Sequence, residues 1–305
     1  LLVWDDKMDR IKHCMLCPRN CGVNRLAGQT GYCRMTDKVM ASRAALHMWE
    51  EPCISGKEGS GTIFFSGCGL GCAYCQNREI ALGDTAKEIT KERLAEIFLE
   101  LQKQGANNIN LVTPTHFVPQ IKEAIVDAKR KGLVLPILYN TGGYEKVETL
   151  KSLEGLIHIY LPDMKYVSPE LSKRYSNASN YFRYAKEAIK EMVRQCPKPI
   201  FNQKGIMVQG VMVRHLVLPG AIEDSKRVIR YLYKNFGDRI YISIMSQYTP
   251  TKNFLERKEL NRPITEEEYQ EVVEYACSLG VEQAYIQEGE TAKESFIPAF
   301  DFKGL

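Results

Sequence analysis

The sequence predicts an α/β fold built on a parallel sheet with crossover helices. Short apolar runs alternate with longer amphipathic segments across residues 58–250. Distinctive Gly, Asn, Asp and His residues fall where those runs end, and in parallel α/β folds functional groups gather at the carboxyl ends of strands. The 305-residue length suits one such barrel and buries a large core.

The elements follow in order. Residues 62–66 (TIFFS) read as a strand that runs into a cysteine loop. Residues 90–104 read as a helix with Thr90 as N-cap. A strand at 109–112 precedes a helix at 117–131 that Gly132 terminates. The strand at 135–139 ends in Asn140-Thr141-Gly142-Gly143, and a helix is expected over 144–153. The strand at 157–161 ends at Pro162-Asp163, with a helix at 180–195. A long strand at 210–218 ends at Pro219-Gly220. A helix at 222–235, a strand at 240–245 and a helix at 265–279 complete the series, the last opened by a capping box at Thr265.

Three segments are expected: a cysteine-rich module at 1–57, a core at 58–250, and a helix with a tail at 251–305. Hydrophobic content of 44% and charged content of 26% indicate a globular rather than a disordered chain. The net charge of +4 comes from 41 basic and 37 acidic residues without a basic run, so nucleic-acid binding is neither suggested nor excluded. No apolar stretch approaches the roughly 20 residues that span a bilayer. The N-terminal LLVWDDKMDR lacks the pattern of a signal peptide. A cytoplasmic, monomeric protein without membrane contact is expected.

Eight of the ten cysteines lie between Cys14 and Cys75, leaving only Cys196 and Cys277 outside. In a large chain without an export signal, such grouping points to metal or cluster ligation in a reducing compartment rather than to disulfides. The segment 67–77 reads GCGLGCAYCQN, with the spacing Cys68-x3-Cys72-x2-Cys75. Three thiolates on a short loop bind three corners of a cubic cluster and leave the fourth iron open. Glycines 67, 69 and 71 are expected to let the backbone wrap closely around it. Buried free thiols or part of a zinc site are the alternatives.

This loop, with aromatic Tyr74 before its third cysteine, resembles the radical S-adenosylmethionine (SAM) superfamily. Cys75-Gln76-Asn77, the Asp163-x-Lys165 pair and the run Arg214-His215-Leu216-Val217-Leu218-Pro219-Gly220 resemble the pyruvate formate-lyase activating enzymes. The N-terminal cysteines and the run WEEPCISG at 49–56 resemble their PflX-type subgroup. The resemblance implies a partial (β/α)6 barrel with an N-terminal Cys-rich extension and a short C-terminal tail. It implies a 4Fe–4S cluster on Cys68, Cys72 and Cys75. SAM would chelate the open iron, and a flavodoxin or ferredoxin would supply one electron. A 5′-deoxyadenosyl radical would then abstract hydrogen, the cofactor carrying the hard step.

Lys165 is the expected partner of the SAM carboxylate, with Asp163 two residues away on the same face. A surface ion pair is the alternative. The resemblance assigns His215 to the SAM ribose, although a lone His in an apolar strand is often a core residue. Asn140 occupies a position that is commonly Asp in the activating enzymes, and it offers ribose both a donor and an acceptor. Those enzymes carry Gly-Gly-Glu at the end of the second strand. Here that place holds Thr113-Pro114-Thr115-His116. Backbone carbonyls near Thr113 can still accept from the SAM amino group, and His116 either touches SAM or substrate or caps the next helix.

Cys14, Cys17, Cys21 and Cys33 supply four more thiolates, suited to a second 4Fe–4S cluster or to tetrahedral zinc. Four ligands would leave no open iron, which argues for structural or electron-relay duty. Cys53 reads as a buried thiol, an extra ligand or a group near substrate. Three functions compete: an activase that places a glycyl radical on a partner protein, a radical SAM enzyme acting on a small molecule, peptide or other polymer, and a non-catalytic Fe–S or zinc protein. Phe296, Phe300 and Phe302 of the tail either cover the barrel mouth or pack as ordinary chain.

Overall fold

The structure is a computed structural model that describes residues 10–250, 254–287 and 298–305. The readings made on residues 1–9, on 251–253 and on Phe296 lie outside the described residues. Ten strands are found among those described. They are β1 (Val39–His47), β2 (Ser60–Phe65), β3 (Lys87–Ile89), β4 (Ile109–Val112), β5 (Ile137–Thr141), β6 (Ile159–Pro162), β7 (Ile200–Phe201), β8 (Met207–Leu216), β9 (Tyr241–Met245) and β10 (Ala284–Ile286). They form one sheet in the order β10-β9-β8-β6-β5-β4-β2-β1-β3, with β7 paired to β8.

From β2 to β10 every neighbouring pair on that path is parallel. The expected α/β fold is present. Six parallel strands from β2 to β9 make the partial barrel, and β10 adds a seventh. The expectation of a wholly parallel sheet needs correction at three places. β1 runs antiparallel to both β2 and β3, and β7 runs antiparallel to β8. Residues 39–47 (VMASRAALH) carry small residues without alternation, so they give no periodic signal, yet sheet partners on both sides bury much of the strand.

The expected helices appear with shifted ends. Lys91–Lys103 is capped by Thr90, whose side chain accepts from the Arg93 N–H at 3.0 Å. Its buried Leu94, Ala95, Ile97, Phe98 and Leu101 form one stripe against the sheet. Val118–Arg130 stops just before Gly132, at φ +102°. The helix expected over 144–153 is only Val147–Lys151. Glu266–Ser278 opens on the Thr265–Glu268 capping box. No helix among the described residues is long and apolar enough to cross a membrane.

Alternation along the strands gives the barrel two different faces. Tyr139, Tyr160, Val211 and Val213 point out into the main core beneath the helices. Leu138, Ile159, Leu161 and Met212 point in, and the short helix Pro52–Ser55 plugs the interior by packing Cys53 and Ile54 against them. The plug closes one end of the barrel. The same inward face continues to the open end as polar residues.

Candidate functional site

Cys68, Cys72 and Cys75 follow β2 on a loop at its carboxyl end and line one cavity. The N–H groups of Leu70 and Gly71 point at the Cys68 sulfur at 3.3 and 3.5 Å. Ser176, on the helix Pro169–Ser176, donates to the Cys72 sulfur at 3.0 Å. The hydroxyls of Ser176, Tyr166 and Tyr74 continue outward in a chain with steps of 2.9 and 2.8 Å. Tyr74 is buried and also lines the cavity. Burial pushes the Cys72 thiol up, against the pull of Lys165, and pushes Cys75 up to about 12.

Opposite the loop, successive strand ends place polar side chains on the inward face. Asp163 follows β6 and sits between two cations. Its carboxylate accepts from Lys165 Nζ at 2.6 Å and from Arg214 Nε at 3.0 Å. Burial alone would raise the Asp163 pKa, but Lys165 and Arg214 outweigh it and hold the carboxyl below its usual range. Arg214 also donates to Asn140 Oδ1 at 2.7 Å and to Glu50 at 3.2 Å. Asn140 in turn donates to Glu50 at 3.3 Å. Glu51 is held by Ser243 at 2.9 Å, and burial raises its pKa. Asn140, Asp163 and Lys165 therefore meet at the cavity, as the sequence suggested, and Arg214 and Glu50 join them.

His215 does not come to the cavity. Because strand side chains alternate, Arg214 and Leu216 of β8 share the inward face, and His215 turns outward with Val213. Its Nδ1–H donates to the Met164 carbonyl at 2.7 Å. Its Nε2 is buried without a partner among the described residues, and burial lowers its pKa to about 4. Strand parity would have favoured Arg214, had the register been known to one residue.

Thr113 and His116 both line the cavity. Thr113 has φ +58°, a conformation that a β-branched residue rarely adopts and that marks strain at this rim. His116 Nε2 lies 2.7 Å from the Ser66 carbonyl, so that nitrogen must donate and Nδ1 is left an acceptor with no partner among the described residues. Burial lowers its pKa to about 3, so the ring is neutral. Glu145, which sequence reasoning missed, reaches the same wall from beyond β5. It is 1% exposed and accepts from the hydroxyls of Thr115 at 2.5 Å, Thr141, and Tyr139 at 3.4 Å. Burial pushes its pKa up to about 7.

The N-terminal cysteines sit against this site. Cys17 and Cys33 line the cavity with the first three. Burial pushes Cys17 up to about 12 and also raises Cys33. Cys53 is instead a buried thiol in the barrel plug, outside the cavity lining. In the tail, Pro298 reaches the cavity, Phe300 packs edge-on against Phe64, and Phe302 N–H bonds to Ser42 on β1.

Among the described residues, no three His, Cys, Asp or Glu side chains converge as the ligands of a single metal ion would. Cubic clusters spread their thiolates over separate irons. Three soft thiols on one loop beside an ammonium are a donor set that an iron–sulfur cluster with a polar organic ligand would fit.

The family model described as the Radical SAM superfamily matches residues 62–220. An uncharacterized protein of Methanocaldococcus jannaschii, MJ0674, is 28% identical over 284 residues, covering 90% of this chain and 77% of its own length. Among solved structures, Streptococcus suis SuiB bound to the precursor peptide SuiA matches with TM-score 0.50 and 12% identity, over 73% of this chain and 47% of SuiB. HydG, a maturase of the [FeFe]-hydrogenase, matches with TM-score 0.50 and 16% identity, over 72% of this chain and 49% of its own. This chain thus spans about half the length of those two proteins, and the likeness is one of fold.

Proposed function

The chain belongs to the radical SAM superfamily, and from that premise we propose that it is an enzyme cleaving SAM reductively at this cavity. Cys68, Cys72 and Cys75 would hold the 4Fe–4S cluster. When bound, such a cluster would supply the one-electron chemistry that cleaves the sulfur–C5′ bond of SAM and leads to hydrogen abstraction from substrate. The protein's part is to orient and to seal. Lys165 offers a cation to a carboxylate, and Asp163, kept ionised by Lys165 and Arg214, offers an anion to an ammonium. His116, neutral in the cavity wall, leaves Nδ1 as a buried acceptor without a partner among the described residues. The observation that carries the reading is that the three thiols and this ionic set open on one cavity at the carboxyl ends of the parallel strands.

The resemblance to PflX-type activating enzymes supports an activase that acts on a partner polypeptide and draws its electron from a flavodoxin or ferredoxin. The Thr113–His116 stretch in place of Gly-Gly-Glu favours a second reading, modification of a small molecule, peptide or other polymer, because it changes the cavity rim.

The test is anaerobic. Protein reconstituted with iron and sulfide is reduced with dithionite, given SAM, and assayed for 5′-deoxyadenosine beside Cys68→Ala. Formation by the wild type and not by the variant is expected. An intact, reducible cluster whose electron paramagnetic resonance (EPR) spectrum ignores SAM would overturn the reading. A glycyl-radical doublet on a mixed-in partner would select the activase.

A further inference from the structure

Two of the three sulfurs on the cavity loop receive hydrogen bonds. Cys68 faces the N–H groups of Leu70 and Gly71, at 3.3 and 3.5 Å, and Cys72 accepts from the Ser176 hydroxyl at 3.0 Å. The sheet does not aim these donors, because β2 ends at Phe65. One side chain from outside the barrel touches the backbone behind all three. Arg19 donates from Nε to the Gly69 carbonyl at 2.8 Å and from Nη2 to the Leu70 carbonyl at 3.1 Å. The Gly69 carbonyl and the Leu70 N–H belong to one peptide unit, and the Leu70 carbonyl and the Gly71 N–H belong to the next. No peptide bond among the described residues is cis. A trans peptide is planar, with its C=O and N–H pointing in opposite directions. Holding both oxygens from one side therefore turns both hydrogens to the other, onto the Cys68 sulfur. A carbonyl that accepts from a cation also polarises its amide and strengthens the N–H at the far end.

The same guanidinium reaches the third donor. Its Nη2 also donates to the Ser176 carbonyl at 3.1 Å, and its Nη1 donates to the Asn177 carbonyl at 2.6 Å. These carbonyls close the helix Pro169–Ser176, which ends on Asn177 at φ +47°. The last carbonyls of a helix have no partner within it, and a cation there satisfies them. With its backbone pinned, Ser176 keeps its hydroxyl on the Cys72 sulfur. The Tyr32 ring lies 3.7 Å from the guanidinium carbon, and its hydroxyl donates to the same Leu70 carbonyl at 3.4 Å. The stacked ring holds the fork flat between the loop and the helix end.

We propose that Arg19 is a positioning residue for the centre on Cys68, Cys72 and Cys75: it fixes the direction and strength of the hydrogen bonds on two of its sulfurs and so raises its reduction potential. Arg19 can act in this way only if the loop carries the cluster proposed above, whatever the N-terminal cysteines hold. Donors to cluster sulfurs stabilise the more negative, reduced state. The guanidinium charge acts in the same sense. Lysine keeps that charge, but a single ammonium on a flexible stem cannot hold carbonyls of two segments in one plane.

Full-length wild type, Arg19→Gln and Arg19→Lys test this. Each is reconstituted anaerobically with iron and sulfide, assayed for iron, and titrated with dithionite under EPR. The signal followed is the one that Cys68→Ala lacks. Both variants should keep the wild-type iron content and show a more negative midpoint, Arg19→Gln further displaced than Arg19→Lys. After exchange into deuterium oxide, pulsed EPR should show weaker coupling to exchangeable hydrogens in both variants than in wild type. An Arg19 that only braces the fold would lower the iron content and leave the midpoint and couplings of the remaining cluster unchanged, and that result would overturn the proposal. A midpoint in Arg19→Lys equal to that of wild type would overturn the orienting role, because charge alone would then account for the effect. If Arg19→Gln fails to fold, Arg19→Lys decides by itself. Shifted midpoints in a protein whose spectrum ignores SAM would remove the SAM-cleaving function and leave the role of Arg19 standing. A normal SAM response with unmoved midpoints would do the reverse.

Discussion

The two cysteine regions that meet at the cavity are built by opposite means. Cys68, Cys72 and Cys75 hang from β2, whose six residues are all buried between β1 and β4. Main-chain ladders fix where that loop starts. The 14–33 segment contains no strand; its only regular element is the 3-10 turn Arg25–Ala27. It is placed by side chains gripping distant carbonyls. Arg25, fully buried, donates to the carbonyls of Thr36 at 3.0 Å and His116 at 2.5 Å, and Arg19 grips the first loop. Thr149 holds the Leu16 carbonyl at 2.7 Å. The lesson is that a ligand loop can be positioned either by a sheet or by a few charge-assisted bonds. Only the sheet-borne kind announces itself through periodicity.

The largest expected effect probes whether the two regions are one body. Gly67→Ala must place a Cβ against the Cys33 carbonyl and also hold an L-residue at φ +86°. The left-handed conformation costs about 1–2 kcal/mol and overpacking about 1–3 kcal/mol more. Gly28→Ala, at φ +78° with nothing within 4 Å, carries the first cost alone. Gly67→Ala should therefore lower the thermal midpoint roughly two- to threefold more than Gly28→Ala. Equal shifts in calorimetry would mean that the Gly67 contact yields freely, and the tight junction would be lost as an idea.

The next effect tests the wall that both regions share. Glu145 has its carboxyl pKa raised from 4.5 to about 7 by burial. The folded state therefore holds a proton that the unfolded state releases between those values. Its contribution is full below about pH 4.5 and is lost as pH rises through about 7. The loss is on the order of 3 kcal/mol. Glu145→Gln keeps a neutral group of the same shape. Denaturant titrations of both proteins at pH 5 and pH 8 should show wild type losing stability relative to Glu145→Gln at the higher pH. A constant difference would show that Glu145 is ionised throughout.

Much of the barrel was legible because apolar runs and caps are local signals. Residues 109–112 were located to the residue, and Thr90 and Thr265 mark their helix starts. The Asp163–Lys165 pair and the three-cysteine loop stood out because chemistry and spacing coincide within a few residues. Three things were hidden. β1 has no alternation because its residues are mostly small and its burial does not alternate between the two faces of the sheet. Glu50 and Arg19 gain meaning only from partners far along the chain, such as Arg214 for Glu50, 164 positions away, and Glu145 only from being buried among the hydroxyls of Thr115, Thr141 and Tyr139. The choice between Arg214 and His215 depends on strand parity, which a one-residue shift in register reverses.

The smallest effect sharpens the comparison at the sheet-borne loop itself. Ser176 gives the Cys72 sulfur a hydrogen bond at 3.0 Å, and Tyr166 and Tyr74 extend the chain. Hydrogen bonds to cluster sulfurs stabilise the more negative, reduced state and so raise the reduction potential. Ser176→Ala removes a bond worth about 1 kcal/mol, which for one electron corresponds to roughly 40 mV toward more negative values. The midpoint is read by EPR-monitored titration on the triple-cysteine-intact protein, with iron content as the check that the cluster still forms. Because Arg19 grips the Ser176 carbonyl rather than its hydroxyl, this substitution should leave the Arg19 contacts to the first loop in place. An unchanged midpoint at full iron content would mean that the Ser176 hydroxyl does not act on the cluster through Cys72.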